Sequence, residues 1–113
     1  MQQFTSLTDA NFHHILAQSA GVSLVMFSGP NCGSCRSVEK LLPAAVEDTV
    51  AHLYYVDVQH SMGLAHQYEV FHLPSLFLFV NGHFHAALHS EVTPLKIQAA
   101  IVQALANPAE EEP

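Results

Sequence analysis

Apolar residues in this chain fall into two kinds of pattern. Val22-Ser23-Leu24-Val25-Met26-Phe27, Leu53-Tyr54-Tyr55-Val56-Asp57-Val58 and Ser75-Leu76-Phe77-Leu78-Phe79-Val80 are short, nearly continuous apolar runs. Strands covered on both faces read this way. Between the runs, apolar residues recur at helical spacing. Phe12, Ile15 and Leu16 form one such set, Val38, Leu41, Leu42, Ala45 and Val46 a second, and Leu95, Ile97, Ile101, Val102 and Leu105 a third. The punctuation agrees with the pattern. Thr8 or Asp9 is suited to cap the first helix, and the second is expected from Gly33 to about Thr49, kinked at Pro43. A short helix is expected around Met62–Tyr68. Thr93-Pro94 opens the last helix, with proline at the first helical position.

Asn81-Gly82 is a strong hairpin signal and predicts an antiparallel return over His83–His89. With a fainter first strand near Gln3–Ser6, the order becomes β-α-β-α-β-α-β-β-α. That order predicts an α/β fold, a mixed sheet with helices on both faces. The 113 residues suffice for one core and one domain, expected over 1–106. Residues 107–113 form an acidic tail expected to fray.

Composition sharpens this picture. Half the residues are apolar and 12% are charged, which favours a packed globule over a disordered chain. No apolar run approaches the roughly 18 residues that span a bilayer. The first residues show neither a basic nor an apolar signal region, so a cytoplasmic location is expected. Three basic residues (Arg36, Lys40, Lys96) face ten acidic ones, for a formal charge of −7. So acidic a chain is a poor partner for nucleic acid or anionic membranes. The nine histidines would offset that charge in mild acid.

The two cysteines, Cys32 and Cys35, are separated by two residues and cannot staple distant parts of a fold. Their position carries the chemistry. They follow a buried strand and open a helix, so first-turn N–H groups, beginning at Gly33, and the positive end of the helix dipole stabilise a thiolate at Cys32. Arg36 adds a positive charge, and the Ser34 backbone N–H and hydroxyl are further donors. Cys32 is thereby the expected nucleophile on a partner disulfide, with Cys35, one turn on and better shielded, as the resolving thiol. A pair of inert buried thiols is disfavoured at such an exposed corner. A zinc site needs two further ligands, and there is no second CxxC.

Taken together, these motifs resemble the thioredoxin family over nearly the whole chain. Leu7-Thr8-Asp9 with Phe12 resembles its first-helix entry and Leu24-Val25-Met26-Phe27 its central strand. Cys32-Gly33-Ser34-Cys35-Arg36 resembles its active site, and Asp57 to Gln59 the end of its third strand. Leu73-Pro74-Ser75 resembles its Ile-Pro-Thr segment, and Phe79-Val80-Asn81-Gly82 its hairpin. The resemblance implies the thioredoxin fold, a three-layer α/β/α sandwich with a central mixed β-sheet. It also implies thiol–disulfide oxidoreductase activity on protein disulfides, with a reductase or thiol donor as second partner and a monomeric chain. No organic cofactor is implied beyond the cysteine pair. Leu73-Pro74 is implied to be a cis peptide whose neighbouring backbone docks an extended substrate segment.

The sequence also departs from that family. The buried acid on the central strand is replaced by Met26, which neither accepts a proton nor perturbs its neighbours by charge. The lysine that accompanies it appears as Tyr55, so acid and base are absent together. Ser28 and Asn31 stand where two tryptophans flank the typical site, leaving Asn31 at the substrate-binding rim. Ser90-Glu91 replaces a glycine, so Glu91 would set a negative charge against acidic partners. His83 and His85, with His89, are expected to alternate on one strand face, where a divalent metal would bind if one bound at all. His72 lies two residues before Pro74 as a candidate proton carrier. Two alternatives stay open: a docking or folding-helper module with little turnover, and a metal-binding protein using the cysteines and a histidine.

Overall fold

The computed structural model describes residues 2–113; Met1, the first residue of the expected domain, lies outside them. Five strands, β1 (Thr5–Leu7), β2 (Val22–Ser28), β3 (His52–Asp57), β4 (Ser75–Val80) and β5 (His83–Leu88), form one sheet in the order β1-β3-β2-β4-β5. β1 and β2 each pair with β3 in parallel, whereas β2–β4 and β4–β5 are antiparallel. Helices α1 (Phe12–Ala17), α2 (Gly33–Ala45), α3 (Met62–Gln67) and α4 (Pro94–Ala106) complete the chain. Among the described residues no helix is long and apolar enough to cross a membrane.

The continuous apolar runs are explained by the two faces they serve. Alternate residues of a strand point to opposite sides. Val25 and Phe27 of β2, and Phe77 and Phe79 of β4, enter a cluster with Phe12 and Leu16 of α1 and Leu64 of α3. Leu24 and Met26, with Leu76 and Leu78, enter a second cluster with Val38 and Leu42 of α2 and Ile97 and Ile101 of α4. The sheet is thus the middle of three layers, as the thioredoxin resemblance implied.

Several boundaries differ from the sequence reading. The first helix starts at Phe12, not beside Thr8: the Asn11 side-chain oxygen accepts from the Thr8 N–H, 2.8 Å, and holds residues 8–11 as a turn. The second helix closes at Ala45, with the Val46 N–H on the Leu42 carbonyl, and the chain turns through Thr49. The hairpin forms as predicted, Asn81 at φ 51° and Gly82 at φ 83°. A side chain at residue 82 would meet the Leu16 carbonyl oxygen at 2.6 Å, so glycine is required twice over. The Asn81 carboxamide oxygen accepts from the Gly21 N–H, 2.7 Å, tying the hairpin to the α1–β2 loop.

β5 carries a bulge: Phe79 pairs with Phe84 but Leu78 pairs with Ala86, leaving His85 as the extra residue. A bulge breaks the two-residue alternation. The His85 ring nitrogen bonds the Ala104 carbonyl of α4 at 2.6 Å, while His83 lines a cleft with His13, Tyr68 and Glu112. One ring nitrogen of His85 is thus taken by the main chain of α4. Among the described residues, no group of three or more His, Cys, Asp or Glu side chains gathers at a potential metal position.

Candidate active site

The redox corner is built where β2 ends. The chain leaves at Ser28, passes Gly29 and Pro30, and turns at Asn31, whose φ of 57° lies in the left-handed region that asparagine tolerates. Cys32 then takes an extended conformation (φ −112°, ψ 97°) and caps α2, its sulfur accepting the Cys35 N–H at 3.2 Å. That contact satisfies one of the orphan donors of the first turn. The Ser34 hydroxyl lies 3.5 Å from the same sulfur. Gly33, Ser34 and Arg36 are exposed on the first turn. Cys32 and Cys35 form a disulfide with Cα atoms 5.2 Å apart. Cys32 is half-buried, whereas Cys35 is 2% exposed.

The second half of the site comes from β4. Ser75 pairs with Phe27 near the end of β2, which brings the preceding Leu73-Pro74 to the end of the sheet where the cysteine loop begins. The Leu73–Pro74 bond is cis. Gly29 makes the close approach possible: a β-carbon there would stand 3.0 Å from a Leu73 methyl group. Leu73 and Pro74 are half-buried, and His72 is exposed, its carbonyl accepting from the Ser75 hydroxyl at 2.6 Å. Glu91, on the loop before α4, pairs with Lys96 at 2.6 Å, so its charge is offset locally.

The buried surroundings of the site are neutral. The buried polar side chains among the described residues are Ser19, Ser23, Ser28 and Ser61, with no buried carboxylate or amine. Met26 is fully buried in the cluster that contains Val38 of α2, and it pairs across strands with Tyr55. Tyr55 is half-buried, its ring edge-on to Phe4 at 6.2 Å.

Two features escaped the sequence reading. An apolar cavity of about 510 Å³ opens beside Leu73, lined chiefly by Val58, Met62, Ala65, Val70 and Phe71. Phe71 is 83% exposed and Met62 63%, and an isolated Phe just before His72-Leu73-Pro74 was its only sequence signal. The other feature is the segment after α4. The expected frayed tail instead bonds to β5 and Tyr68.

A CxxC disulfide capping a helix beside a cis-proline strand is the arrangement the thioredoxin resemblance implied. The family model described as Thioredoxin matches residues 3–105, and the chain belongs to the thioredoxin family. It is 27% identical to protein disulfide-isomerase A5 of Bos taurus over 113 residues, covering 95% of this chain and 20% of that protein. It is 32% identical to the thioredoxin of Staphylococcus saprophyticus over 78 residues, covering 67% of this chain and 73% of that protein. The zinc-bound form of human ERp44 superposes with a TM-score of 0.75 at 23% identity, covering 89% of this chain and 32% of that one. The chain thus spans about a fifth of the length of the disulfide-isomerase it matches.

Proposed function

We propose that the chain is a thiol–disulfide oxidoreductase that exchanges disulfides with partner proteins through Cys32 and Cys35. In the reducing direction, the Cys32 thiolate attacks one sulfur of a partner disulfide. A mixed disulfide forms and the other partner sulfur leaves as a thiolate, which takes up a proton. The Cys35 thiolate then attacks the Cys32 sulfur, closing the Cys32–Cys35 disulfide and releasing the second partner thiol. Two electrons pass to the partner, and a reductase or thiol donor restores the pair. The reverse sequence oxidises a partner dithiol. The electrons stay on the cysteine pair throughout, so the scheme calls for no organic cofactor.

The observation that carries this reading is the asymmetry of the pair, an accessible helix-capping Cys32 with donors at its sulfur and a buried Cys35. Leu73 and Pro74 supply the docking backbone, with Asn31 and Glu91 at the rim and Arg36 favouring thiolate. In this scheme the protein works as a monomer in a cytoplasm whose reductant keeps it cycling. Met26 supports a slower resolving step, in which water or substrate accepts the Cys35 proton.

The test is reduction of a model disulfide protein such as insulin, followed by alkylation trapping. Wild type turns over, Cys35→Ser accumulates a mixed disulfide, and Cys32→Ser is inert. Retention of the wild-type rate by Cys32→Ser would contradict the assignment.

A further inference from the structure

Residues 107–113 are pre-set to run extended. Pro108 disfavours helix at the residue before it, and Asn107 ends α4 at φ −101°, ψ 157°. The segment then meets β5, the edge of the sheet, whose outer main-chain groups have no strand partner. The Glu110 N–H donates to the His85 carbonyl at 2.7 Å, and the Glu110 carboxylate accepts from the Ala87 N–H at 3.1 Å. Two residues on, the Glu112 carboxylate accepts from the Tyr68 hydroxyl at 2.8 Å. Tyr68 is 2% exposed, its ring among Phe12, Phe27, Phe77, Phe79 and Phe84. A buried phenol needs an acceptor for its proton, and Glu112 is that acceptor. Burial, then the hydrogen bond and charge of Glu112, hold the Tyr68 hydroxyl well above its ordinary ionisation range. Pro113 finally forms part of the wall of a cavity of about 520 Å³, together with His72, Pro74, Ser75, His89 and Ser90.

We propose that the open edge of β5, with the Tyr68 hydroxyl beside it, is a recognition site for an extended Glu-x-Glu segment. Residues 107–113 fill it in cis and thereby compete with protein substrates for the Leu73-Pro74 docking loop. The competition rests on the role given to that loop above. Strand addition supplies the main-chain bond, and the two carboxylates add charge-assisted hydrogen bonds that select acidic side chains two residues apart. Ordering seven residues opposes these few bonds with a comparable entropy cost. The segment is therefore held weakly enough to yield to a substrate, and a free peptide must compete with its high effective concentration.

The experiment uses the full chain and two variants, Tyr68→Phe and the double variant Glu110→Ala/Glu112→Ala. Tyr68→Phe touches neither bond to β5, yet it should speed amide hydrogen exchange at Ala87 by about three- to tenfold, the worth of one hydrogen bond. Both variants should lower KM for a model disulfide protein severalfold while leaving kcat and the redox potential unchanged. Unchanged exchange at Ala87 in Tyr68→Phe overturns the seating as one unit. Faster exchange with unchanged KM overturns the competition. Absence of turnover in wild type and variants alike defeats the oxidoreductase reading and the competition with it, while exchange at Ala87 still decides the seating.

Discussion

The two faces of the sheet are built from different materials. One side is aromatic: Phe12, Phe27, Phe77, Phe79, Phe84 and Tyr68 meet there in edge-on, tilted and stacked pairs with centroids 5.4–6.4 Å apart. The other side, beneath α2 and α4, is aliphatic, made chiefly of Leu, Val, Ile and Met26. The aromatic side brings polar handles. The Tyr54 hydroxyl meets Ser19 at 2.6 Å, and that of Tyr68 meets Glu112. On the aliphatic side, which supports the cysteine helix, His85 and Gln98 bond the main-chain carbonyls of Ala104 and Ala45. The contrast teaches that this chain seats its thiol pair on a neutral, largely aliphatic base and places its buried hydroxyl pair, Ser19 with Tyr54, on the opposite face.

The sharpest way to break that contrast is to put a charge into the aliphatic side. Met26→Asp leaves an uncompensated buried carboxylate, costing about 3–5 kcal/mol at neutral pH. Burial raises the introduced group's pKa above its unfolded value, so the loss should shrink as pH falls and grow as pH rises through the folded value. Urea unfolding across pH measures it, and a loss that does not change with pH would show that the introduced carboxylate is not desolvated there. Adjacent residues of β4 compare the faces directly. Leu78→Ala should cost about 2–5 kcal/mol, and Phe79→Ala should lie toward the upper end because it also loses its ring contacts with Phe12, Tyr68 and Phe84. An equal or smaller loss at Phe79 would remove the energetic distinction between the two sides.

A smaller effect concerns Tyr68. Its pKa is raised in the folded state, chiefly by burial and then by Glu112. The resulting stability is fully present below the unfolded tyrosine value of about 10 and is lost as pH climbs beyond it. Alkaline unfolding curves should fall more steeply for wild type than for Tyr68→Phe, and parallel curves would refute the linkage. Smallest of all, Glu91→Gln removes an exposed pair with Lys96 and should change stability by less than about 1 kcal/mol. A larger loss on thermal unfolding would show that the rim carboxylate does more than pair with its neighbour.

Most of the fold was legible because its strands are buried on both faces, and continuous runs such as Ser75–Val80 have few other readings. The redox corner was legible because a CxxC after one such run must open a helix. What failed was non-local. Nothing near His85 announces the bulge, because the extra residue is defined only by its partner strand. The start of α1 was misplaced because Thr8, Asp9 and Asn11 are all capping types, and Asn11 closes a preceding turn instead. Glu110 and Glu112 read as solvated charges in sequence. Their acceptor roles depend on an edge strand and a phenol some 20 to 45 residues away.

The measurement that tests the central claim most directly is the redox potential of the Cys32–Cys35 pair, equilibrated in glutathione buffers and read by thiol trapping. Ser34 beside the Cys32 sulfur favours the reduced thiolate, and stabilising the reduced form raises the potential. The account therefore predicts a single two-electron transition above the thioredoxin value of about −270 mV and no higher than about −120 mV. A value at or below about −270 mV would contradict the role given to Ser34, and failure to form the disulfide at any poise would contradict the redox function itself.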